Sequence, residues 1–223
     1  MKTSVARKIL MALSGFFLLL FLLQHLTINS LSVVSEDVFN NVSHFMGTNW
    51  IVQFLLQPVL LFGVIFHLVM GLYLDIQNQR ARNIKYAQNN PGTNSSWMSR
   101  NMKITGIMIL LFLGLHFADF WIPELNTKFI EGDMSGMKES GFGLRYFEEL
   151  QHKFTEVWRV AIYVLAFVFL SLHLLHGFQS AFQSVGFNHN KYTPWIKKLG
   201  NLYAIVVPLG FIIIAIYHYT TQL

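Results

Sequence analysis

Five apolar runs, each close to twenty residues long, dominate this 223-residue chain and leave it few folds to adopt. About 20 mainly apolar residues suffice for a helix to cross a bilayer. Hydrocarbon offers no partners to backbone N–H and C=O groups, so such a run must satisfy them internally, as a helix does. The runs fall at roughly 9–29, 51–74, 103–122, 157–178 and 201–219, with polar connections at about 30–50, 75–102, 123–156 and 179–200. The expectation is an all-α polytopic membrane protein, five transmembrane helices forming one bundle over residues 1–223. Only 12% of residues are charged and 53% are hydrophobic, where a soluble domain carries about 25% charge. Lys2, Arg7 and Lys8 ahead of the first run imitate a signal peptide. The run is long enough to span and no A-x-A site follows, so it reads as an uncleaved first helix. No soluble domain, low-complexity tract or sequence repeat stands out.

The basic residues set an expected topology, because Lys and Arg concentrate in cytoplasmic loops. Lys2, Arg7 and Lys8, then Arg80, Arg82, Lys85, Arg100 and Lys103, then Lys191, Lys197 and Lys198 occupy alternate regions and hold eleven of the sixteen Lys and Arg residues. The first connection has only Glu36 and Asp37, and the third has acids in excess. The N-terminus is therefore expected inside and the C-terminus outside. The net charge of +5 lies in short loops between apolar runs, which argues against nucleic acid as a partner. With no cysteine, the chain cannot itself ligate an iron–sulfur cluster by thiolate, attach a c-type haem or form a disulfide.

Four of the runs carry a histidine well inside: His25, His67, His116 and His173. Imidazole is costly in hydrocarbon without a partner, so intramembrane ionisable residues are candidates for function. Four on four helices suggest two metal centres with two axial ligands each, for which bis-histidine haem is the natural group. At about 1.5 Å rise per residue, His25 and His116 fall toward the outer ends of helices I and III, and His67 and His173 at comparable inner depth on helices II and IV. The expected pairs are thus His25 with His116 and His67 with His173, all as haem-iron ligands. His176 lies about 60° around the helix from His173 and is an alternative inner ligand, or a partner for a propionate, a quinone or another subunit. Gly63 and Gly71 flank His67 at i−4 and i+4, and Gly177 follows His173. Glycine admits a flat macrocycle to the backbone, and equally serves small-residue helix packing.

Other polar residues are weaker candidates. His44, Gln53 and Asp119, with Asn29 and Asn49, are placed on the outer side, where they could form a polar pocket for a quinone or for protons. Arg159 and Lys153 are outer candidates to pair with haem propionates, and Lys103 or Arg100 inner ones; snorkelling to headgroups is the alternative for each. His152, His189 and His218 read as solvated or interfacial. Trp50, Trp97, Trp121, Trp158 and Trp195 fall near span boundaries, as an aromatic belt does. GLRYFEELQHKFTEVW in the third connection predicts a surface helix, with Phe147, Leu150, Phe154 and Val157 on one face, lying on the membrane or capping the bundle. The Pro-Gly turn in NNPGTNSSW offers a docking point for a partner.

ALSGFFLLLFLLQHL, GVIFHLVMGLY, GLHFADFW and SLHLLHGFQSAFQSVG together give the chain a family resemblance that covers nearly its whole length. It resembles the di-haem cytochrome b membrane subunit of type B succinate:quinone oxidoreductases, the succinate dehydrogenases and fumarate reductases. The resemblance implies the same histidine pairing, a distal haem on helices I and III and a proximal haem on II and IV. It implies partners too: a flavoprotein and an iron–sulfur subunit on the inner face, with the dicarboxylate site on a partner. The chain would be the quinone-reactive, electron-transferring part of an oxidoreductase, passing electrons through two b haems to or from a quinone near the outer haem, expected to be menaquinone. The implied location is the bacterial cytoplasmic membrane, and the whole complex could oligomerise. Some fumarate-reducing relatives have a glutamate two residues before the fourth ligand. Here that position is Ser171, which speaks against the compensating proton path assigned to that glutamate. Two other readings stay open: the cytochrome b subunit of a hydrogenase- or formate-dehydrogenase-type complex, and a haem-free proton-coupled transporter.

Overall fold

The computed structural model describes residues 4–80 and 101–223. Lys2, Arg82, Lys85, Arg100, Trp97 and the Pro-Gly turn of the second connection lie outside the described residues. In order come α1 (Ser4–Val34), α2 (Glu36–Thr48), a π turn (Val52–Leu56) running into α3 (Gln57–Arg80), and α4 (Met102–His116). Helix α4 continues through a π turn (Phe117–Trp121), a short α segment (Ile122–Leu125) and a second π turn (Asn126–Ile130). Then follow α5 (Tyr146–Lys153), α6 (Val157–Ser184) and α7 (Thr193–Thr220). Five of these helical stretches are long and apolar enough to cross a membrane. Among the described residues the only β pairing is the isolated bridge Met137–Leu144.

Helices run past the apolar runs because polar ends protrude from a hydrocarbon core only about 30 Å thick. Two connections are more ordered than polarity alone predicts. In the first, Ser35 caps α2 by accepting from Val38 N–H at 3.4 Å, and Glu36 and Asp37 stand in the first turn, where the helix dipole favours acids. In the third, Pro123 does not end the helix. It closely follows the Phe117–Trp121 π turn, where the regular i→i−4 ladder is already interrupted.

Helix α6 is central: it packs along α1, α4 and α7. The two sets of helix ends are here called the N-terminal end (start of α1, end of α3, start of α4) and the C-terminal end. The buried core lies toward the C-terminal end. Phe39, Leu150, Phe154, Tyr163, Phe167, Val207 and Phe211 form one cluster there. Leu150 and Phe154 thus make the α5 region a cap on the bundle. Val157, expected on the same face, is exposed, because the chain turns between α5 and α6. Large apolar side chains along the spans face outward, Leu20 at 72% exposure and Phe62 at 68% among them, as a lipid-facing surface requires.

Close approach fixes some small residues. The ring of Phe178 would lie 2.7 Å from a Cβ at Gly200, so α6 and α7 meet at van der Waals distance only because Gly200 has none. Tyr203 on α7 donates its hydroxyl to Leu19 O on α1 at 2.6 Å. Replacing Gly200 by leucine should force the Phe178 ring aside and cost about 1–3 kcal/mol. A lowered thermal midpoint in detergent, with Gly200→Ala intermediate, would show it.

Candidate functional site

The structure brings the four span histidines together in two pairs. Toward the C-terminal end, the rings of His25 (α1) and His116 (α4) have centroids 5.8 Å apart and planes at 85°. Toward the N-terminal end, His67 (α3) and His173 (α6) are 6.5 Å apart at 65°. Aromatic residues wall the first pair: Phe21 and Phe211 beside His25, Phe112, Phe120 and Tyr163 beside His116. His176 is half-buried on α6, and the ring that meets His67 belongs to His173, not to His176.

Two hydroxyls absent from the sequence reading hold the second pair. Ser14 Oγ lies 2.9 Å from His67 Nδ1, and Thr105 Oγ1 lies 3.2 Å from His173 Nδ1. A small polar residue inside an apolar run was the available signal for both. The glycines behave differently from a macrocycle cradle. Gly63 is filled by Phe17, whose Cε1 would stand 2.7 Å from a Cβ there, so this position serves helix packing. The glycines that adjoin the histidine rings are Gly15, where a Cβ would meet His67 Cε1 at 3.7 Å, and Gly106, where it would meet His173 Cε1 at 3.7 Å.

The outer polar candidates do not converge on one pocket. Asp119 is buried in the π turn after His116. It accepts from Arg159 Nη1 at 2.6 Å and from the Tyr163 hydroxyl at 2.8 Å. Arg159, expected to face a propionate, is thus the partner of Asp119, because α6 carries it into the bundle beside that carboxylate. Gln53 is buried and donates to Met46 O at 2.9 Å, and His44 meets the Tyr146 hydroxyl at 3.3 Å. Asn49 caps the N–H groups of Ile51 and Val52, and Asn29 donates to His25 O at 2.8 Å with its amide against the His25 ring. Lys153 is half-buried in the last turn of α5, and Lys103 pairs with Asp75 across 3.6 Å in an exposed position.

A second charged cluster, also unanticipated, ties this end together. Buried Lys128 reaches Glu124 at 2.6 Å and donates to Gly47 O. Glu124 in turn holds Arg145 at 2.6 Å, and Arg145 holds Glu149 at 2.5 Å. Burial opposes the charge of Arg145, but its hydrogen bonds with Glu149 and Glu124 more than offset this and raise its pKa. Burial, reinforced by Glu124, pushes the Tyr146 phenol up to about 12. Gly136, at φ +63°, turns the chain over the His44–Tyr146 contact, where a Cβ would stand 2.6 Å from the phenol oxygen. The solvated placement expected for His218 is wrong. It is fully buried on α7, bonded through Nε2 to Ser32 Oγ at 2.8 Å and edge-on to Phe147, because α1 extends to Val34 and covers it. His152 and His189 are exposed.

Among the described residues no group of three or more His, Cys, Asp or Glu side chains could hold a metal ion. Two imidazoles per centre is, however, the number that a haem requires, since the macrocycle supplies the other four nitrogens. With metal–nitrogen bonds near 2 Å, imidazoles on opposite sides of one metal have centroids about 6 Å apart. Separations of 5.8 and 6.5 Å fit that arrangement.

Compared with known proteins, 100 residues of the chain are 29% identical to the succinate dehydrogenase cytochrome b558 subunit of Bacillus subtilis (strain 168). The match covers 44% of this chain and 45% of that protein, so it spans less than half the length of each. No family model matches the chain, and no solved structure does.

Replacing Asp119 by leucine should strand Arg159 beside a half-empty pair. Removing one partner of a buried pair costs about 3–5 kcal/mol, and the low end applies because Arg159 stays 21% exposed. Thermal unfolding of Asp119→Leu, Arg159→Met and the double variant would test this; the double variant should recover part of the loss.

Proposed function

We propose that this chain is the membrane-anchor cytochrome b subunit of a succinate dehydrogenase or fumarate reductase, a di-haem b, quinone-reactive part of an oxidoreductase complex. The observation that carries this is the meeting of four span histidines in two pairs, each at a separation at which two imidazoles could hold one iron. The partial similarity to a succinate dehydrogenase cytochrome b558 subunit points the same way, as do five helices able to cross a membrane.

In this reading His25 and His116 hold the outer haem and His67 and His173 the inner one. Haem, when bound, supplies one-electron redox chemistry whose potential the protein tunes through ligands, hydrogen bonds and burial. The chain's own contribution is to fix the imidazoles, exclude water and manage protons. Phe112, Phe120, Phe211 and Tyr163 shield the outer pair. Asp119, Gln53 and His44 are the candidates for an outer quinone and proton site, and each has a partner: Asp119 with Arg159 and Tyr163, Gln53 with Met46, His44 with Tyr146. The alternate placement of basic residues supports an N-terminus inside and a C-terminus outside the bacterial cytoplasmic membrane. Flavoprotein and iron–sulfur subunits would then dock at the N-terminal end, and menaquinone would react near the C-terminal end.

A pyridine haemochrome assay on the purified chain should give two b haems. Each of His25→Ala, His67→Ala, His116→Ala and His173→Ala should leave one, and His176→Ala should leave two. Fewer than two haems in the unaltered chain would overturn the reading. Co-purification should recover a flavoprotein and an iron–sulfur protein that together reduce a menaquinone analogue with succinate.

A further inference from the structure

Each of the two hydroxyls beside the inner histidines faces a backbone carbonyl as well as an imidazole nitrogen. Ser14 Oγ lies 2.8 Å from Met11 O, and Thr105 Oγ1 lies 3.0 Å from Met102 O, each one turn back along its own helix. A hydroxyl has one hydrogen. A carbonyl oxygen can only accept, so both contacts are hydrogen bonds at once only when the hydroxyl donates to the carbonyl and accepts from the imidazole. His67 and His173 must then carry their hydrogens on Nδ1, which leaves Nε2 of each with a bare lone pair. The same logic reached through two different residue types, on two different helices, argues against coincidence.

The placement of these hydroxyls repeats. Ser14-Gly15 stands eleven residues before His25 on α1, and Thr105-Gly106 stands eleven residues before His116 on α4. Eleven residues make about three helical turns, so each helix presents a hydroxyl and a histidine on one face, about 16 Å apart along its axis. The outer ligand of one helix and the hydroxyl serving the inner pair are thus parts of one repeated unit. The nine residues between the two ends of each unit share LLFL in register.

The outer pair is treated differently. His116 Nδ1 is buried and has no hydrogen-bond partner among the described residues. The polar group at the His25 ring is the Asn29 amide nitrogen, at 3.4 Å from Nδ1, a donor rather than an acceptor. An acceptor on the non-ligating nitrogen of a metal-bound histidine fixes its tautomer and orientation and raises its basicity. The inner pair has two such acceptors.

We infer that Ser14 and Thr105 are positioning residues of the inner centre: they lock His67 and His173 as Nε2 ligands and, by making both more basic, favour the oxidised iron and hold that centre's potential down. This rests on the haem reading above. Redox titration of the assembled, haem-replete protein, followed by optical spectra, tests it. The signal lost in His67→Ala marks the inner centre. Ser14→Ala and Thr105→Val keep the local shape and remove the acceptor. Each should raise the reduced-to-oxidised ratio of the inner haem at a fixed potential by several-fold, toward the tenfold that corresponds to 59 mV for one electron. The double variant should shift it further, and the outer haem should not move. Thr105→Ser keeps the hydroxyl and should behave as the unaltered protein. If Thr105→Val loses the inner haem while Thr105→Ser keeps it, the hydroxyl is again responsible. Unmoved potentials in haem-replete variants, an equal shift of the outer haem, or the same shift or haem loss in Thr105→Ser as in Thr105→Val would overturn the inference alone. An unaltered protein without haem would instead overturn the reading of the paired histidines on which it stands.

Discussion

Imidazoles buried among apolar helices each meet a polar or aromatic neighbour, and these contacts organise the bundle. Five histidines sit within or at the ends of the packed helices with identifiable neighbours, and each neighbour comes from a distant part of the chain. His67 takes Ser14 from α1, His173 takes Thr105 from α4, and His218 takes Ser32 from the extended end of α1. His25 and His116 face one another. These ring contacts fix the rotation of α1, α3, α4, α6 and α7 about their axes, which apolar packing alone leaves loosely set when lipid and protein interior are equally apolar.

Charge is handled at the C-terminal end, where the core also concentrates. Asp119 and Arg159 neutralise each other across α4 and α6, with Tyr163 completing the carboxylate's partners. Lys128, Glu124, Arg145 and Glu149 link the tail of α4, the end of α2 and the start of α5. The π turn at Phe117–Trp121 underlies the first of these, since it sets Asp119 against α6 immediately after His116. Wider helical turns of this kind are frequent at functional positions. Among the described residues the N-terminal end carries fewer such contacts, with Arg7 reaching Tyr73 and Gln77, and Lys103 facing Asp75.

Apolar length and isolated histidines made the five spans and the four paired rings legible in the sequence, because both signals are local and chemically extreme. What escaped was relational. That Pro123 continues a helix depends on the π turn ahead of it. That Arg159 serves Asp119 depends on the depth at which α6 meets α4. The burial of His218 depends on α1 continuing to Val34, well past its apolar run. The hydroxyls of Ser14 and Thr105 looked like ordinary small polar residues, because nothing in a single helix reveals which ring of a neighbouring helix it will meet.

The eleven-residue spacing shared by α1 and α4 carries a consequence for how such a chain can vary. It fixes the two ends of each unit and the number of residues between them, while five of the nine intervening positions differ. FFLLLFLLQ and IMILLFLGL match at four of nine aligned positions, all in the shared LLFL, and differ at the other five. Inserting or deleting one residue there would swing one end by about 100° and uncouple the two faces, whereas wholesale exchange among Leu, Ile, Phe and Met would leave the spacing intact. A chain written this way tolerates drift in spelling far better than drift in length, so related bundles can become nearly unrecognisable by identity while keeping the same measured intervals.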